Sequence, residues 1–212
     1  MWVISVFWRE RSEDSDHPRF LSGLEEFFDA LGAQFLWVDG NHEDHHWLEE
    51  FPVDSQGLRP VTPHITHVPR GSGFLVGAKK FVGLGGAHSI DRAFRMEGES
   101  WFPEELIQPE DLELTKAQGS ADVLVTHEAP EAPWLRGSVG LKNDVISEAQ
   151  RYLVGEARRA LQPQLLIHGH HHKRYTTQVG RTLVTGLGCD GDWGNPNQLK
   201  ANALTISLET LG

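Results

Sequence analysis

Short apolar runs that close on glycine or a polar residue punctuate the chain, and between them lie stretches where apolar residues recur every three or four positions. Trp2 to Trp8 reads as a strand. Phe20, Leu24, Phe27, Phe28 and Leu31 then fall on one face of a helix, with Asp16 as its cap, Pro18 in its first turn and Gly32 at its end. Gln34 to Asp39 is a short buried strand broken by Gly40, and a short helix through Trp47 and Leu48 stops near Pro52. The middle reads as β-rich: Ile65 to Val68, Phe74 to Val76 and Lys80 to Leu84 are apolar runs bounded by glycines. Gly85 and Gly86 open a long loop through Trp101, followed by a helix over Pro109 to Ala117 and a buried strand over Val123 to Thr126. A loop over 128–142 carries Pro130, Pro133, Gly137 and Gly140. Val145, Ile146, Ala149, Leu153, Ala157 and Leu161 mark an amphipathic helix that ends before Pro163. Leu165 to Ile167 is a further buried strand, and Tyr175 to Val179, Thr182 to Thr185 and Ala203 to Leu208 are β-like. Strands alternating with helices and then mostly strands predict an α/β layered fold.

The 212 residues, with no Pro/Gly/Ser-rich linker and no internal repeat, suit a single domain over 1–212. A formal net charge of −11 argues against long nucleic acid as the ligand. A small phosphate ester remains compatible, because a bound dication reverses the local field. The one cysteine, Cys189, excludes an intramolecular disulfide and a thiolate metal cluster. The apolar run at Trp2 is too short for a signal peptide and no stretch reaches membrane-spanning length, so the expectation is a cytoplasmic protein that does not engage a membrane.

The 12 histidines change the picture because they are clustered: His42, His45 and His46 form one group, and His168, His170, His171 and His172 another. Three segments share one layout, a short apolar strand ending in a polar, histidine-bearing loop. They are FLWVD followed by Gly40-Asn41-His42-Glu43, VLVT followed by His127-Glu128, and LLIH followed by Gly169-His170-His171-His172. Ligands in open α/β sheets bind beyond the carboxyl ends of strands. If these strands are neighbours, Asn41, His42, His127, His170 and His172 meet in one crevice. Gly40 and Gly169 would let the backbone turn so that the next side chain points into it. An extended 169–172 would turn His170 and His172 to one side and His171 to the other. Imidazole and amide donors suit Mn²⁺, Zn²⁺, Fe or Ni²⁺ better than Ca²⁺.

GNHE at 40–43, TH at 126–127 and GHHH at 169–172, in that order, resemble the later blocks of the calcineurin-like metallophosphoesterase family over Gln34 to about Leu187. GGAHSIDR (Gly85 to Arg92) and WFPEE (Trp101 to Glu105) are similar to a bacterial and phage branch of it. The resemblance implies a sandwich of two mixed β-sheets flanked by helices. It implies that Asn41, His127 and His170 bind one metal ion, that His172 binds a second, and that His42 is the catalytic histidine, stabilising charge or protonating the leaving oxygen. The implied reaction is in-line attack on a phosphate ester by water that the metal activates.

Two family blocks, Asp-x-His and Gly-Asp, do not occur before Gly40. Ser5-Val6-Phe7 falls where Gly-Asp-Phe would sit, so Val6 would replace the carboxylate that bridges two ions, and the Asp-x-His segment with the first family strand would lie before Met1. Two unbridged dications repel strongly, so one ion, most simply Mn²⁺, is expected rather than two. The gap in the sheet leaves room for a homo-oligomer or a rearranged N-terminus to cover it. Asp14, Asp16, Asp39, Glu43, Asp190 and Asp192 are candidate compensating carboxylates, with helix capping and a solvated loop the simpler reading of Asp14 and Asp16. Arg92 and Arg95 could meet a phosphate or sit at the surface; Trp101 and Trp134 could stack a base but more simply anchor packing. His45 and His46 fall on the short helix, His168 in the packed end of a strand, and His171 outside the ligand set. His17, His64, His67 and His88 would have local roles. The functional expectation is a phosphodiesterase or phosphomonoesterase acting on a small phosphate ester or nucleotide. The alternative is a non-catalytic member that binds metal or nucleotide.

Overall fold

A computed structural model describes residues 2–5, 17–131, 144–188 and 203–211. Two mixed sheets face one another. The first has the order β1 (Trp2–Ser5), β2 (Gln34–Trp37), β4 (Ile65–His67), β3 (Arg59–Pro60), with β1, β2 and β4 parallel. The second has the order β5 (Gly73–Val76), β6 (Lys79–Leu84), β7 (Val123–Thr126), β8 (Leu165–His168), β10 (Thr182–Gly186), β9 (Tyr175–Val179), with parallel pairing from β6 through β10 and an antiparallel strand at each edge.

The apolar runs are continuous because both faces of the central strands are covered. Alternate side chains of β2 go opposite ways: Leu36, with Val38 just beyond it, enters the core between the sheets, while Phe35 and Trp37 pack under α1 (His17–Leu31) with Phe28, Leu48 and Ile65. In the second sheet Val123, Val125, Leu165 and Ile167 face the first sheet. Leu124 and Leu166 face outward onto Leu112 of α3 (Pro109–Ala117) and Val154, Ala157 and Leu161 of α4 (Val145–Leu161). The layers are therefore helix, sheet, sheet, helix pair, the expected sandwich. Fully burying one such aliphatic side chain contributes about 1.5–3 kcal/mol. Gly32, with φ +56°, ends α1, and Asp144 caps α4 by accepting from Ile146 N–H at 3.1 Å. A short helix, α2 (His45–Glu49), carries His45 and His46 as expected.

Two differences from the sequence reading have plain causes. The strand ending in FLWVD is not a neighbour of the strands before His127 and His168; it lies in the opposite sheet, so the three loops meet across the sandwich and not along one sheet edge. Ala203 to Leu208 forms no ladder: its alternation lets Leu204, Ile206 and Leu208 pack against the core between the sheets, and a 3₁₀ turn follows at Leu208–Thr210. The expectations for Val6, Asp14, Asp16, Trp134, Cys189, Asp190, Asp192 and much of the loop over 128–142 lie outside the described residues, as does the side chain of His17. Among the described residues no helix is long and apolar enough to cross a membrane.

The carboxyl ends of β2 and β4, neighbours in the first sheet, are tied by one buried ion pair. Arg70, just after β4, donates to Asp39 Oδ2 through Nε at 2.9 Å and Nη2 at 2.6 Å. The same guanidinium donates to the carbonyls of Glu104 (2.7 Å) and Leu106 (2.7 Å) and to Asp111 at 3.3 Å, so the long segment leaving β6 is pinned to the first sheet. Burial opposes ionisation of Asp39, but the Arg70 charge and the His67 hydrogen bond outweigh it and hold its carboxyl well below the usual range. Asp39 is thus consumed by Arg70 and His67 and is not a spare carboxylate for the site. Replacing Arg70 by methionine leaves the Asp39 carboxylate buried beside His67 alone. The expected loss is about 3–5 kcal/mol in urea unfolding. Arg70→Met combined with Asp39→Leu should recover much of that loss, because no uncompensated charge then remains.

Candidate functional site

Three loops leave the strands at the same end of the sandwich. From β2 the chain runs through Val38, Asp39 and Gly40 to Asn41. β7 ends at Thr126 and presents His127, and β8 ends at His168 and turns through Gly169 to His170. The Gly169 N–H donates to the His127 carbonyl at 3.2 Å, joining two of the loops. Gly40 is needed for closeness more than for turning. A Cβ there would stand 2.7–2.9 Å from three atoms of the His127 ring, so only glycine lets that ring lie on the backbone. The left-handed turn falls on His170 (φ 62°) and His172 (φ 52°), and 169–172 is bent, contrary to the extended form considered above.

The bend brings Asn41, His127 and His170 together. Asn41 Oδ1 lies 2.9 Å from His127 Nε2 and 3.2 Å from His170 Nδ1, while its Nδ2 donates to Ser89 Oγ at 3.0 Å. The two imidazole centroids are 5.1 Å apart. Burial, reinforced by the neighbouring His127, pushes His170 well below the usual imidazole range against the pull of Glu128. Behind His170 and His171 lies Glu128, fully buried. Burial opposes its ionisation, but His170, the hydrogen bond from His171 and the Ala129 N–H together hold its carboxyl down at about 2. Its Oε1 accepts from His171 Nε2 at 2.6 Å, and its Oε2 is 3.8 Å from His170 Nε2.

These residues could hold one divalent ion. Donors adjacent on an ion with bonds of about 2.1 Å are about 3.0 Å apart, close to the two spacings from Asn41 Oδ1. With imidazole N–H groups directed at the amide oxygen, a cation between them requires the other tautomers, lone pairs inward. Glu128 Oε2 faces the far nitrogen of His170, to which the imidazole proton would move, but at 3.8 Å it makes no hydrogen bond there. The set is neutral. Among the described residues no group of three His, Cys, Asp or Glu side chains stands ready to hold a metal, and the third inner donor is an amide.

His42 is half-buried beside this cluster, with Arg95 Nη2 2.8 Å from its Nδ1 and 2.8 Å from Asp91 Oδ2. His172 is exposed beyond the bend. His171 sits behind the ligand set on Glu128, and His168 is buried at the end of its strand, 2.5 Å from the Tyr175 hydroxyl. His45 is also buried, and desolvation lowers it to about 4. His64 bonds Glu25 at 2.6 Å, His67 lies 3.3 Å from Asp39, and His88 lies 3.0 Å from Asp144, so each has a local role. Trp101 is buried with the Arg92 guanidinium 3.8 Å above its ring, an anchor and not an open base platform. The sequence reading gave no role to Ser89, Glu105, Glu128 or Arg70. Ser89 and Glu105 lie in GGAHSIDR and WFPEE, and those runs were the available signal.

A family model described as calcineurin-like phosphoesterase matches residues 14–174. No curated protein matched the chain. Among solved structures, a putative 5'-nucleotidase from Staphylococcus aureus in complex with alpha-ketoglutarate is 14% identical, with 88% of this chain and 39% of that chain covered and a TM-score of 0.42. This chain therefore spans less than half the length of that protein. The GAP50 anchor in the inner membrane complex of Plasmodium is 12% identical, with 97% and 75% covered and a TM-score of 0.38.

Gly40→Ala tests the closeness of His127 to the backbone. The added methyl must displace the ring, at about 1–3 kcal/mol for overpacking. The expected outcome is a lower urea midpoint, with weaker Mn²⁺ binding in calorimetry; an unchanged midpoint would mean that the ring is free to move aside.

Proposed function

Because the chain belongs to the calcineurin-like phosphoesterases, we propose that it is a metal-dependent hydrolase of small phosphate esters, a phosphodiesterase or phosphomonoesterase, with nucleotides among its candidate substrates. The observation that carries this reading is the meeting of Asn41 Oδ1, His127 Nε2 and His170 Nδ1 at 2.9 and 3.2 Å. These three would hold one ion, Mn²⁺ first and Zn²⁺, Fe or Ni²⁺ as alternatives. When bound, the ion supplies a Lewis acid for the phosphoryl oxygen and lowers the pKa of water. His42 stands at the rim as the group that stabilises charge on, or protonates, the leaving oxygen. Arg95, against its ring, brings a positive guanidinium to the same rim for a phosphate oxygen. Glu128, 3.8 Å from the far nitrogen of His170, would accept a hydrogen bond from the N–H of the metal-binding tautomer only after that gap closes. His172 is the candidate ligand for a second ion, but one ion is the simpler state, since the set just named contains no carboxylate to screen two dications.

The net charge of −11 supports a small ester over long nucleic acid as the partner. A cytoplasmic location and a homo-oligomer belong to the same proposal. A second reading, metal or nucleotide binding without turnover, draws on the same neutral donor set, which binds an ion less tightly than carboxylates do.

Hydrolysis of bis-p-nitrophenyl phosphate with added Mn²⁺ separates the two. The expected outcome is turnover in the unmodified protein, lost together with Mn²⁺ binding in His170→Ala. In His42→Ala binding should persist while kcat falls about 10²–10⁴-fold. Mn²⁺ binding without turnover would establish the second reading, and His42→Ala at full rate would remove His42 from the mechanism.

A further inference from the structure

An amide ligand has a problem that a carboxylate does not: it can be turned the wrong way. Asn41 must aim Oδ1, not Nδ2, at His127 and His170 if the two imidazoles and the amide are to share a cation. Nothing in the pair of imidazoles enforces this, because a neutral imidazole nitrogen can meet an amide as donor or as acceptor, depending on its tautomer. The enforcement comes from the other side of Asn41.

Ser89 Oγ is 3.0 Å from Asn41 Nδ2, 2.6 Å from Glu105 Oε2 and 3.3 Å from the Asn41 carbonyl oxygen. A hydroxyl has one proton. The Glu105 carboxylate is the closest acceptor and the charged one, so it takes that proton. Its other oxygen accepts the Ser89 backbone N–H at 2.7 Å, which fixes the carboxylate across both donors of one residue. Glu105 is 1% exposed and Ser89 also 1%, so no water competes for either. With its proton committed, Ser89 Oγ offers only lone pairs to Asn41. Only the amide NH₂ can meet them, and the amide oxygen is turned inward.

We infer that Glu105 and Ser89 are positioning residues that set the orientation of the Asn41 amide and so select a cation, and not a hydrogen-bond acceptor, as the occupant of the site. The part concerning the cation rests on the ligand role proposed above for Asn41. Glu105 is held in turn by the segment that Arg70 pins, since its carbonyl accepts from the Ala87 N–H at 2.9 Å and from Arg70 Nη2 at 3.3 Å.

The discriminating variant is Glu105→Gln, which keeps shape but can reverse polarity. The amide oxygen of the substituted side chain can still accept the Ser89 N–H while its NH₂ donates to Ser89 Oγ. The hydroxyl proton is then released toward Asn41, and the Asn41 amide oxygen is drawn to it. Mn²⁺ affinity measured by calorimetry should fall about 10–100-fold in Glu105→Gln, the range for lost support of a ligand, and also in Ser89→Ala, where the constraint is simply absent. Asn41→Asp is the control: a carboxylate presents oxygen in either orientation, so Glu105→Gln made in the Asn41→Asp background should cost no affinity. An equal loss in both backgrounds would mean a general structural role and would overturn the inference. A second readout needs no metal. In ¹⁵N-labelled protein the Asn41 side-chain NH₂ pair, identified by its disappearance in Asn41→Asp, should show nuclear Overhauser contacts to the Ser89 β protons. Contacts to the ring protons of His127 instead would overturn it. Should the unmodified protein bind no Mn²⁺, the ligand reading fails, and the NH₂ contacts still decide the orientation.

Discussion

A buried guanidinium with acceptors on both sides of the sandwich sets the geometry of everything near the site. Arg70 holds Asp39 from the end of β2 and the carbonyls of 104–106 from the segment after β6. The ends of two sheets that share no ladder are thereby fixed relative to each other. Desolvating a guanidinium and a carboxylate is expensive, and it is compensated only when nearly every donor is used. Here it is compensated by pinning a long loop that has little regular structure of its own. Asn41 stands two residues after Asp39, and Glu105 lies among the pinned carbonyls, so the positions of both follow from where Arg70 sits.

Much of this could be read along the chain, and the remainder could not for identifiable reasons. Helices over Pro109–Ala117 and Val145–Leu161 and the strands before His127 and His168 follow from periodicity and from the glycines and prolines that bound them. The order of GNHE, TH and GHHH indicated which side chains belong together. Periodicity carries no information about which sheet a strand joins, so the meeting of β2 with β7 and β8 across the sandwich was invisible. Asp39 looked like an available carboxylate because its partner is 31 residues away in sequence. Gly40 looked like a turn, while its constraint comes from a ring 87 positions downstream that only the tertiary structure brings against it.

The electrostatic arrangement is layered. The three inner donors are an amide and two imidazoles, and two buried carboxylates stand behind their neighbours: Glu105 accepts from Ser89, which meets Asn41, and Glu128 accepts from His171. On the inference drawn above, the charge on Glu105 acts through Ser89 on the orientation of the Asn41 amide. The arrangement also leaves the centre with less attraction for a dication than a carboxylate ligand would provide, so affinity depends more heavily on how well the donors are held.

The bend that delivers His170 strains the chain itself. Two side-chain-bearing residues in the left-handed region, His170 and His172, each cost about 1–3 kcal/mol relative to relaxed backbone. Glycine at either position would relieve that strain and remove an imidazole, so a search for durability alone would change this loop first. The two histidines therefore mark a place where robustness and chemistry pull in opposite directions. A sturdier version of this protein, made by relaxing its most strained turn, would be one that had given up part of its candidate centre.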